Sequence, residues 1–458
     1  MMDIDDPLDF EKEDPFLINP VVSKKRKKLI GLDDLLSEHY KEQSKLIEKE
    51  AKKQTKAQKS YDSDEDKNGK EAKLSSLLDD CQEQMKAMSG EEELSEWGIF
   101  VFGEQKTSPL LSFPELGSWS ILKSFMNNRL NSLVGLATEQ ECSFLEGLLI
   151  NGWLLKLILK CGRVEKSIAA WTFSLILYSS KEELRSSACE FWCSILSSKV
   201  QVGVPPIVID WFPSYRELKS ALEIYGFRFN FSSNISVKNN SVCKGPPQNI
   251  ITWIKFTAVC CQVRCKQSVF LASDCQELAE VIICLFLDRR VQGLSVLMSN
   301  CLQSVISSFT EEEWINCYCE IAKSLASRVP MDLNCLRAVQ CISGVDPRSK
   351  HLRSAVAFQI LVNCFENEVT DEEGILTSLI SINVKEKACD FFKMYLYLVL
   401  TENWLQYDPM LRDKPVIREM WGLFLRNCSC QITSTDLRLH ASKVRNKAAF
   451  LLQGAGNN

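Results

Sequence analysis

Cysteine is the residue type with the greatest capacity for chemistry in this sequence, which has 20 cysteines beside only three histidines. A zinc site needs paired thiolate or imidazole ligands at suitable spacing. The densest group is Cys260, Cys261 and Cys265, and no C-x-x-C pair occurs in the chain. Most other cysteines stand singly within apolar helical stripes. We therefore predict reduced thiols that pack as small hydrophobic side chains, and no metal site.

Nucleophilic and phosphate chemistry lack their usual sequence signals. The chain contains no G-x-x-x-x-G-K-[ST] phosphate loop, no G-x-G-x-x-G fingerprint and no G-x-S-x-G elbow. His39 lies in the N-terminal region, and His351 and His440 lie near predicted helix starts, so each is interpreted as structural or exposed. Acid groups at 311–313 and 371–373 fall in first turns of predicted helices, where they stabilise the helix dipole. We predict that the protein is not an enzyme and uses neither cofactor nor small-molecule substrate.

Blocks of charge organise the N-terminal region. Residues 1–20 contain seven acids and one lysine, residues 21–60 contain twelve bases and six acids, and residues 61–97 are again acidic. Because few aromatic residues accompany these charges, the region cannot bury enough apolar surface to fold alone. We predict that residues 1–90 form a disordered, charged tail.

Three motifs in this tail could bind partners. Acidic–aromatic clusters at residues 6–10 and 14–16 carry side chains that suit docking into a groove: Leu8, Phe10 and Phe16. An amphipathic helix, predicted from about residue 30 to about residue 59, carries an apolar stripe that suits helix-in-groove binding: Leu32, Leu35, Leu36 and Tyr40. Five consecutive bases suit nuclear import or phosphate contact: Lys24, Lys25, Arg26, Lys27 and Lys28. The clusters and the helix also fit solvated segments without a partner.

The rest of the chain shows helical periodicity. In residues 165–197 apolar residues recur at helical spacing on both sides of a Ser-Ser pair, which predicts an αα-hairpin. Helix pairs recur every 30 to 45 residues or so. Capping boxes precede five of the periodic stretches: Thr138 with Glu141, Ser180 with Glu183, Ser214 with Glu217, Thr310 with Glu313, and Thr370 with Glu373. We predict an all-α fold, an irregular HEAT-like array of stacked αα-hairpins that follows the disordered tail.

The strongest interruption of the helical pattern is residues 226–248. Its alternating start, GFRFNF, suggests a short strand, and an Asn/Ser/Pro-rich loop follows. We predict a first helical half over residues 91–225, this loop, and a second helical half over residues 249–458. We also predict one helix over residues 139–160, and a compact segment near Trp97 and Phe102.

Composition and hydropathy indicate which large partners the chain can contact. No apolar run reaches the roughly 20 residues of a membrane span, and the acidic N-terminus does not resemble a signal peptide, so we predict a soluble, intracellular protein without membrane contact. Direct, non-specific DNA contact stays open because basic residues recur in the second half. These are Arg289 and Arg290, Arg348 to Arg353, Arg412 to Lys414, and Arg438, His440, Lys443, Arg445 and Lys447.

The tail motifs also carry a family resemblance. The segments Asp6–Phe10, Lys24–Lys28 and Ile30–Tyr40, ahead of a cysteine-rich helical body, resemble those of plant proteins with the CANIN domain. That group is similar to non-SMC element six of yeasts and to the vertebrate factor that localises the SMC five/six complex. The resemblance is strongest in the tail, and the helical body agrees with it in kind.

This resemblance implies a non-catalytic accessory subunit in the nucleus. Such a subunit pairs with a second all-helical, five-like non-SMC element as a heterodimer. The pair binds the ATPase SMC five/six core and helps to recruit or load it onto chromatin for DNA repair, homologous recombination and genome maintenance. A helical-repeat adaptor in another nuclear process, such as RNA processing or transport, fits the same features and remains the alternative.

Overall fold

The structure is a computed structural model that describes residues 97–111, 119, 141–197, 207–229, 245–264, 269–365, 371–407 and 414–455. All of these belong to the compact unit Leu78–Asn458. They form fifteen α-helices and one pair of two-residue strands. The predicted all-α helical-repeat fold is confirmed for this part of the chain. The predicted disordered tail lies outside the described residues.

The helices follow one another along the chain with short connections. The first five are α1 (Glu141–Ile150), α2 (Trp153–Cys161), α3 (Lys166–Tyr178), α4 (Glu182–Ser197) and α5 (Tyr215–Ile224). The next five are α6 (Asn249–Val263), α7 (Ala272–Leu285), α8 (Ser295–Ser307), α9 (Glu311–Arg328) and α10 (Leu333–Gln340). The last five are α11 (Pro347–Cys364), α12 (Glu372–Ser381), α13 (Phe391–Tyr407), α14 (Pro415–Gln431) and α15 (Ala441–Ala455). A 3-10 helix, Arg289–Leu294, precedes α8.

Helices stack on the helix two places further along the chain as well as on their immediate neighbours. Helix α4 packs on α6 and α6 packs on α8, while α7, α9, α11, α13 and α15 form a second series of successive contacts. Central helices such as α3 and α7 bury side chains on nearly all sides. A helix that is apolar all round must be covered on all sides, and stacking in an array provides that cover.

The hairpin predicted over residues 165–197 is formed by α3 and α4. Trp192 Nε1 donates a hydrogen bond of 3.0 Å to Thr172 Oγ1 across the hairpin, in its buried interior. The predicted Ser180–Glu183 capping box is wrong, because α4 begins at Glu182 and Lys181, not Ser180, directly precedes it. The hydroxyl that acts here is that of Ser179, the residue after α3, which accepts the N–H of Lys181 at 3.2 Å. The box between Thr310 and Glu313 is confirmed in both directions, at 2.9 and 3.2 Å.

Other predicted boundaries differ for local reasons. The single helix predicted over residues 139–160 breaks into α1 and α2 at Gly152, whose φ of 70° is left-handed and suits glycine. Asp371, in place of the predicted Thr370, caps α12 by accepting the N–H of Gly374 at 3.0 Å. Thr138 and Thr370 themselves lie outside the described ranges. At Ser214 the predicted box is confirmed, because the Glu217 carboxylate accepts from the Ser214 backbone and hydroxyl.

Two extended features interrupt the helices. Strand β1 (Arg163–Val164) pairs in parallel with β2 (Val208–Ile209). The strand suggested by GFRFNF is reduced to a single antiparallel bridge between Phe227 and Phe102. This bridge places the start of the described chain against the region predicted to divide the array.

Candidate functional site

The predicted partner-docking and basic residues all lie outside the described part of the chain. These are Leu8, Phe10, Phe16, Lys24, Lys25, Arg26, Lys27, Lys28, Leu32, Leu35, Leu36 and Tyr40. Their positions therefore remain predictions. The place where the chain that follows them joins the array is described, and it forms the candidate site.

Residues 97–106, here called the strap, cross the array in extended conformation. Its Val101 and Phe102 side chains are fully buried. Backbone hydrogen bonds of 2.7 to 2.9 Å hold the strap: Ile99 N–H to Leu287 O, Gly103 N–H to Gly226 O, Lys106 N–H to Ile224 O, and Arg228 N–H to Val101 O. The strap therefore binds the array as an added strand binds a sheet edge, through its main chain.

The buried carboxylate of Asp288 contacts the centre of the strap. Asp288 is 1% exposed, and its Oδ2 accepts the N–H of Val101 at 3.1 Å. Arg290 pairs with the same carboxylate at 2.6 Å and donates to the carbonyl of Phe102 at 3.0 Å. A buried charge is tolerated when it is paired and its lone pairs are filled, and both conditions hold here. The pair thus connects the 3-10 helix to the strap.

Trp97, at the start of the strap, lies between two arginines. The guanidinium carbons of Arg289 and Arg337 are 5.0 and 5.1 Å from the indole ring centroid. These are cation–π distances. The next residue, Gly98, donates its N–H to Oδ1 of the buried Asn334 at 2.7 Å. Burial raises the pKa of Asp332, whose carboxylate accepts from the Asn334 side chain at 2.7 Å.

Two positions in this site, where the backbone passes close to a neighbouring group, require glycine. Gly98 and Gly226 have φ angles of 110° and 83°. A Cβ at Gly226 would lie 2.5 Å from the carbonyl oxygen of Glu104, and a Cβ at Gly98 would lie 2.8 Å from Arg289 Nε. Any other residue would therefore bring both backbone strain and a steric clash.

The sequence predicted a compact segment near Trp97 and Phe102, and the structure corrects this: residues 97–106 are extended, and they bury Val101 and Phe102 against the array because the main chain of the strap is hydrogen-bonded to it. The sequence did not predict an extended strap or its binding partners. A signal was present in WGIFVFG, a short run of β-branched and aromatic residues between Gly98 and Gly103, which is typical of a strand. The partners Leu287 and Asn334 carry no comparable sequence signal.

Most of the basic residues predicted as possible DNA contacts make internal contacts where they are described. Arg348 donates to the carbonyl of Phe309 at 2.6 Å, and Arg353 donates to the carbonyl of Ile342. Further contacts are Arg438 to Val384 O at 2.9 Å, Arg445 to Thr433 O at 3.0 Å, Lys447 to Glu402 at 2.7 Å and Lys414 to Glu372 at 2.5 Å. The acceptor carbonyls of Phe309, Ile342, Val384 and Thr433 lie two or three residues beyond the ends of α8, α10, α12 and α14, so these side chains supply donors to the connections that follow the helices. Arg412 lies outside the described residues.

The cysteines described by the structure are free thiols, and nine of them are buried. Burial raises the pKa of Cys284 to about 12, so this thiol stays protonated and packs as an apolar group. Cys161 and Cys430 differ from the prediction because they are exposed. In the described ranges, no cluster of three or more His, Cys, Asp or Glu side chains could hold a metal ion.

A cavity of about 170 Å³ between α8 and α11 contains polar side chains. Asp346 caps α11 there by accepting the Ser349 N–H at 3.1 Å, and it also accepts from the Ser349 hydroxyl at 2.6 Å and from Gln303 Nε2 at 2.9 Å. These groups satisfy one another, so the cavity is explained by helix capping.

No family model, no curated protein and no solved structure matches this chain. The resemblance of the tail motifs therefore stays a prediction. Within the described ranges, no single helix is both long and apolar enough to cross a membrane, and only the pair α1 and α2, bent by 82°, meets those criteria when the two are taken together.

Proposed function

We propose that this protein is a non-catalytic accessory subunit that helps to recruit or load the SMC five/six complex onto chromatin. The process served is DNA repair, homologous recombination and genome maintenance in the nucleus. Two features support the proposal: the tail motifs with their family resemblance, and an all-α array of stacked helices. Stacked helices offer extended faces for protein partners.

The observation that carries the proposal is the strap. It joins residues that follow the tail to helices far along the chain, through Ile224, Leu287 and Asn334. The strap therefore anchors to the folded array the chain that follows the tail. Such an anchored connection suits a subunit whose tail binds the SMC core while its array binds a second all-helical non-SMC element.

The direct test is affinity purification of the tagged protein from nuclei, followed by mass spectrometry. We expect to recover the SMC five/six core and a second helical subunit. Recovery without any SMC five/six component would exclude the proposal. Deletion of residues 21–50 is expected to abolish core binding and nuclear import, while deletion of residues 60–77, a tail segment outside both the basic run and the predicted helix, serves as the control.

The alternative function is an adaptor in another nuclear process, such as RNA processing or transport. The same purification separates the two proposals, because partner identity differs. Cross-linking of the protein to RNA in preference to chromatin would favour the adaptor.

A further inference from the structure

Two arginines at the start of the strap carry positive charges that no acidic group of the described chain neutralises. Arg289 is exposed on the 3-10 helix, and Arg337 is half-buried on α10. Across the described residues neither guanidinium forms an ion pair or a hydrogen bond, and both lie against the Trp97 ring. Their neighbour Arg290 differs, because it pairs with Asp288 at 2.6 Å.

The Trp97 ring brings these two charges together. Their guanidinium carbons are 5.0 and 5.1 Å from the same ring centroid, so the sum of the two distances is the largest separation that the carbons can have. Like charges repel at this range, and attraction to the ring offsets part of the repulsion. A cation–π contact positions a guanidinium but supplies no oxygen to accept from its N–H groups. The pair therefore presents positioned donors without acceptors.

Arg337 shows this unfilled capacity directly. Its Nε is buried and has no hydrogen-bond partner within the described chain. A buried donor without an acceptor is costly, so it is uncommon in native proteins. Two carboxylates of this region are already used, Asp288 by Arg290 and Asp332 by Asn334. An oxyanion from outside the chain would supply the missing acceptor and the missing charge.

We propose that Arg289 and Arg337 form a binding site for the phosphate group of a phosphoserine in a partner protein. A phosphoserine carries a charge of about −1.5 to −2 and three acceptor oxygens, which match two guanidiniums with forked donors. A single-stranded nucleic acid fits less well, because its row of single charges needs a row of free cations. Here the neighbouring Arg290 is neutralised by Asp288, and Glu104 places an exposed acid on the strap.

An exposed ring beside the site suits a peptide ligand. Phe100 is 42% exposed and lies three residues after Trp97 on the strap. Three residues of extended chain span about 10 Å, in the strap as in a bound extended peptide. We therefore expect an aromatic or aliphatic residue within about three positions of the phosphoserine.

The proposal goes beyond the recruitment function and does not rest on it. Phosphoserine binding is measured with purified protein, without any SMC component. Failure to recover the SMC five/six complex from nuclei would leave this site standing, and the reverse also holds.

The test uses immobilised full-length protein and a degenerate nine-residue peptide library with phosphoserine at its centre. Mass spectrometry compares the retention of this library with that of the same library carrying serine. We expect at least about tenfold higher retention of the phosphoserine library, with a preference that weakens at high salt. Equal retention of the two libraries would overturn the proposal.

Substitutions at Arg289 assign the binding to this site. Arg289→Glu should abolish the phosphoserine preference, and Arg289→Lys should reduce it by about threefold or more, because lysine keeps the charge but lacks the forked donors. Arg216→Glu, which makes the same charge change at an exposed position on α5, is the matched control and should keep the full preference.

Limited proteolysis of each variant verifies that the strap stays bound, and if Arg289→Glu releases it, Arg289→Lys decides. A wild-type preference in Arg289→Lys and Arg289→Glu would overturn the proposal. So would Arg289-dependent binding of a labelled single-stranded oligonucleotide in place of the phosphoserine library.

Discussion

Arg264, which follows α6, and Glu313, in the first turn of α9, form a two-pronged ion pair with N–O distances of 2.8 and 2.7 Å. The same guanidinium donates to the carbonyls of Phe270 and Ser308, each at 2.8 Å. The Glu313 carboxylate also accepts the N–H of Thr310 and so completes a capping box. One carboxylate therefore caps its own helix and connects α9 to the end of α6.

Glu313→Gln is expected to destabilise the protein in a pH-dependent way. The hydrogen bond from Arg264 is the main reason that the pKa of Glu313 falls from 4.5 to about 2. A depressed carboxyl pKa stabilises the folded state above the unfolded pKa, and that contribution is lost as pH falls towards the folded pKa. The loss at pH 7 should be about 1–2 kcal/mol. Urea unfolding of both proteins at pH 7, 5 and 3 measures it.

The gap between wild type and Glu313→Gln should be constant between pH 7 and 5 and narrower at pH 3. A gap of unchanged size at pH 3 would contradict the assignment. Glu320→Gln is the control, since Glu320 and its partner Lys323 are both more than half exposed. Exposed pairs of this kind contribute little, so this variant should match the wild type at every pH.

Gly226→Ala is expected to loosen the strap and destabilise the fold. The substitution places a Cβ 2.5 Å from the Glu104 carbonyl oxygen at a φ of 83°. Backbone strain of this kind costs about 1–3 kcal/mol. Hydrogen exchange should show faster exchange at the amides of Gly103 and Lys106. Gly147→Ala is the control, because nothing lies within 4 Å of its Cβ and alanine favours helix α1.

Trp97→Ala should release the beginning of the strap. Two cation–π contacts, at 5.0 and 5.1 Å, are removed, and each contributes about 0.5–1 kcal/mol. Limited proteolysis should then cleave near residues 97–106 faster than in the wild type. Trp153→Ala, which also removes an indole next to a cation, should leave that cleavage rate unchanged. Equal rates in Trp97→Ala and wild type would show that the arginines do not hold the strap.

Arg348→Ala separates a structural role from a DNA-binding role. The side chain donates to Phe309 O at 2.6 Å and to Ile306 O at 3.3 Å, so its loss leaves carbonyls at the end of α8 without a donor. We expect a loss of about 1–3 kcal/mol in the free energy of unfolding. Arg216→Ala, at an exposed position on α5, is the control. Lost DNA affinity with unchanged stability would reverse this assignment.

Local signals in the sequence predicted the array well. The helical spacing of apolar residues and the chemistry of helix caps depend on residues a few positions apart. The hairpin at 165–197 and the Thr310–Glu313 capping box were therefore predictable. Gly152 shows the limit of that reasoning: its left-handed backbone breaks one predicted helix into two, although the apolar period continues across it.

The strap and the arginine contacts were not predictable because their partners are remote in sequence. Gly98 meets Asn334 across 236 residues, and Arg438 reaches Val384 across 54. Runs of basic residues suggested a surface for phosphate. A guanidinium can equally well donate hydrogen bonds to backbone carbonyls of the same chain, and composition does not distinguish phosphate binding from this internal role. The predicted site residues of the tail lie outside the described ranges, so their roles rest on the predictions above.

The separation of Gly98 and Asn334 along the sequence also sets an order of events during synthesis. The strap leaves the ribosome early, but Asn334, the binding partner of Gly98, emerges 236 residues after it. At roughly 5–20 residues per second, that is a delay of about 12 to 47 seconds. During this interval Trp97 lacks its contact with Arg337 and Gly98 lacks its contact with Asn334, so this end of the strap is open to chaperones and to misassembly. Complete seating of the strap therefore waits for α10, while α11 to α15 are synthesised later.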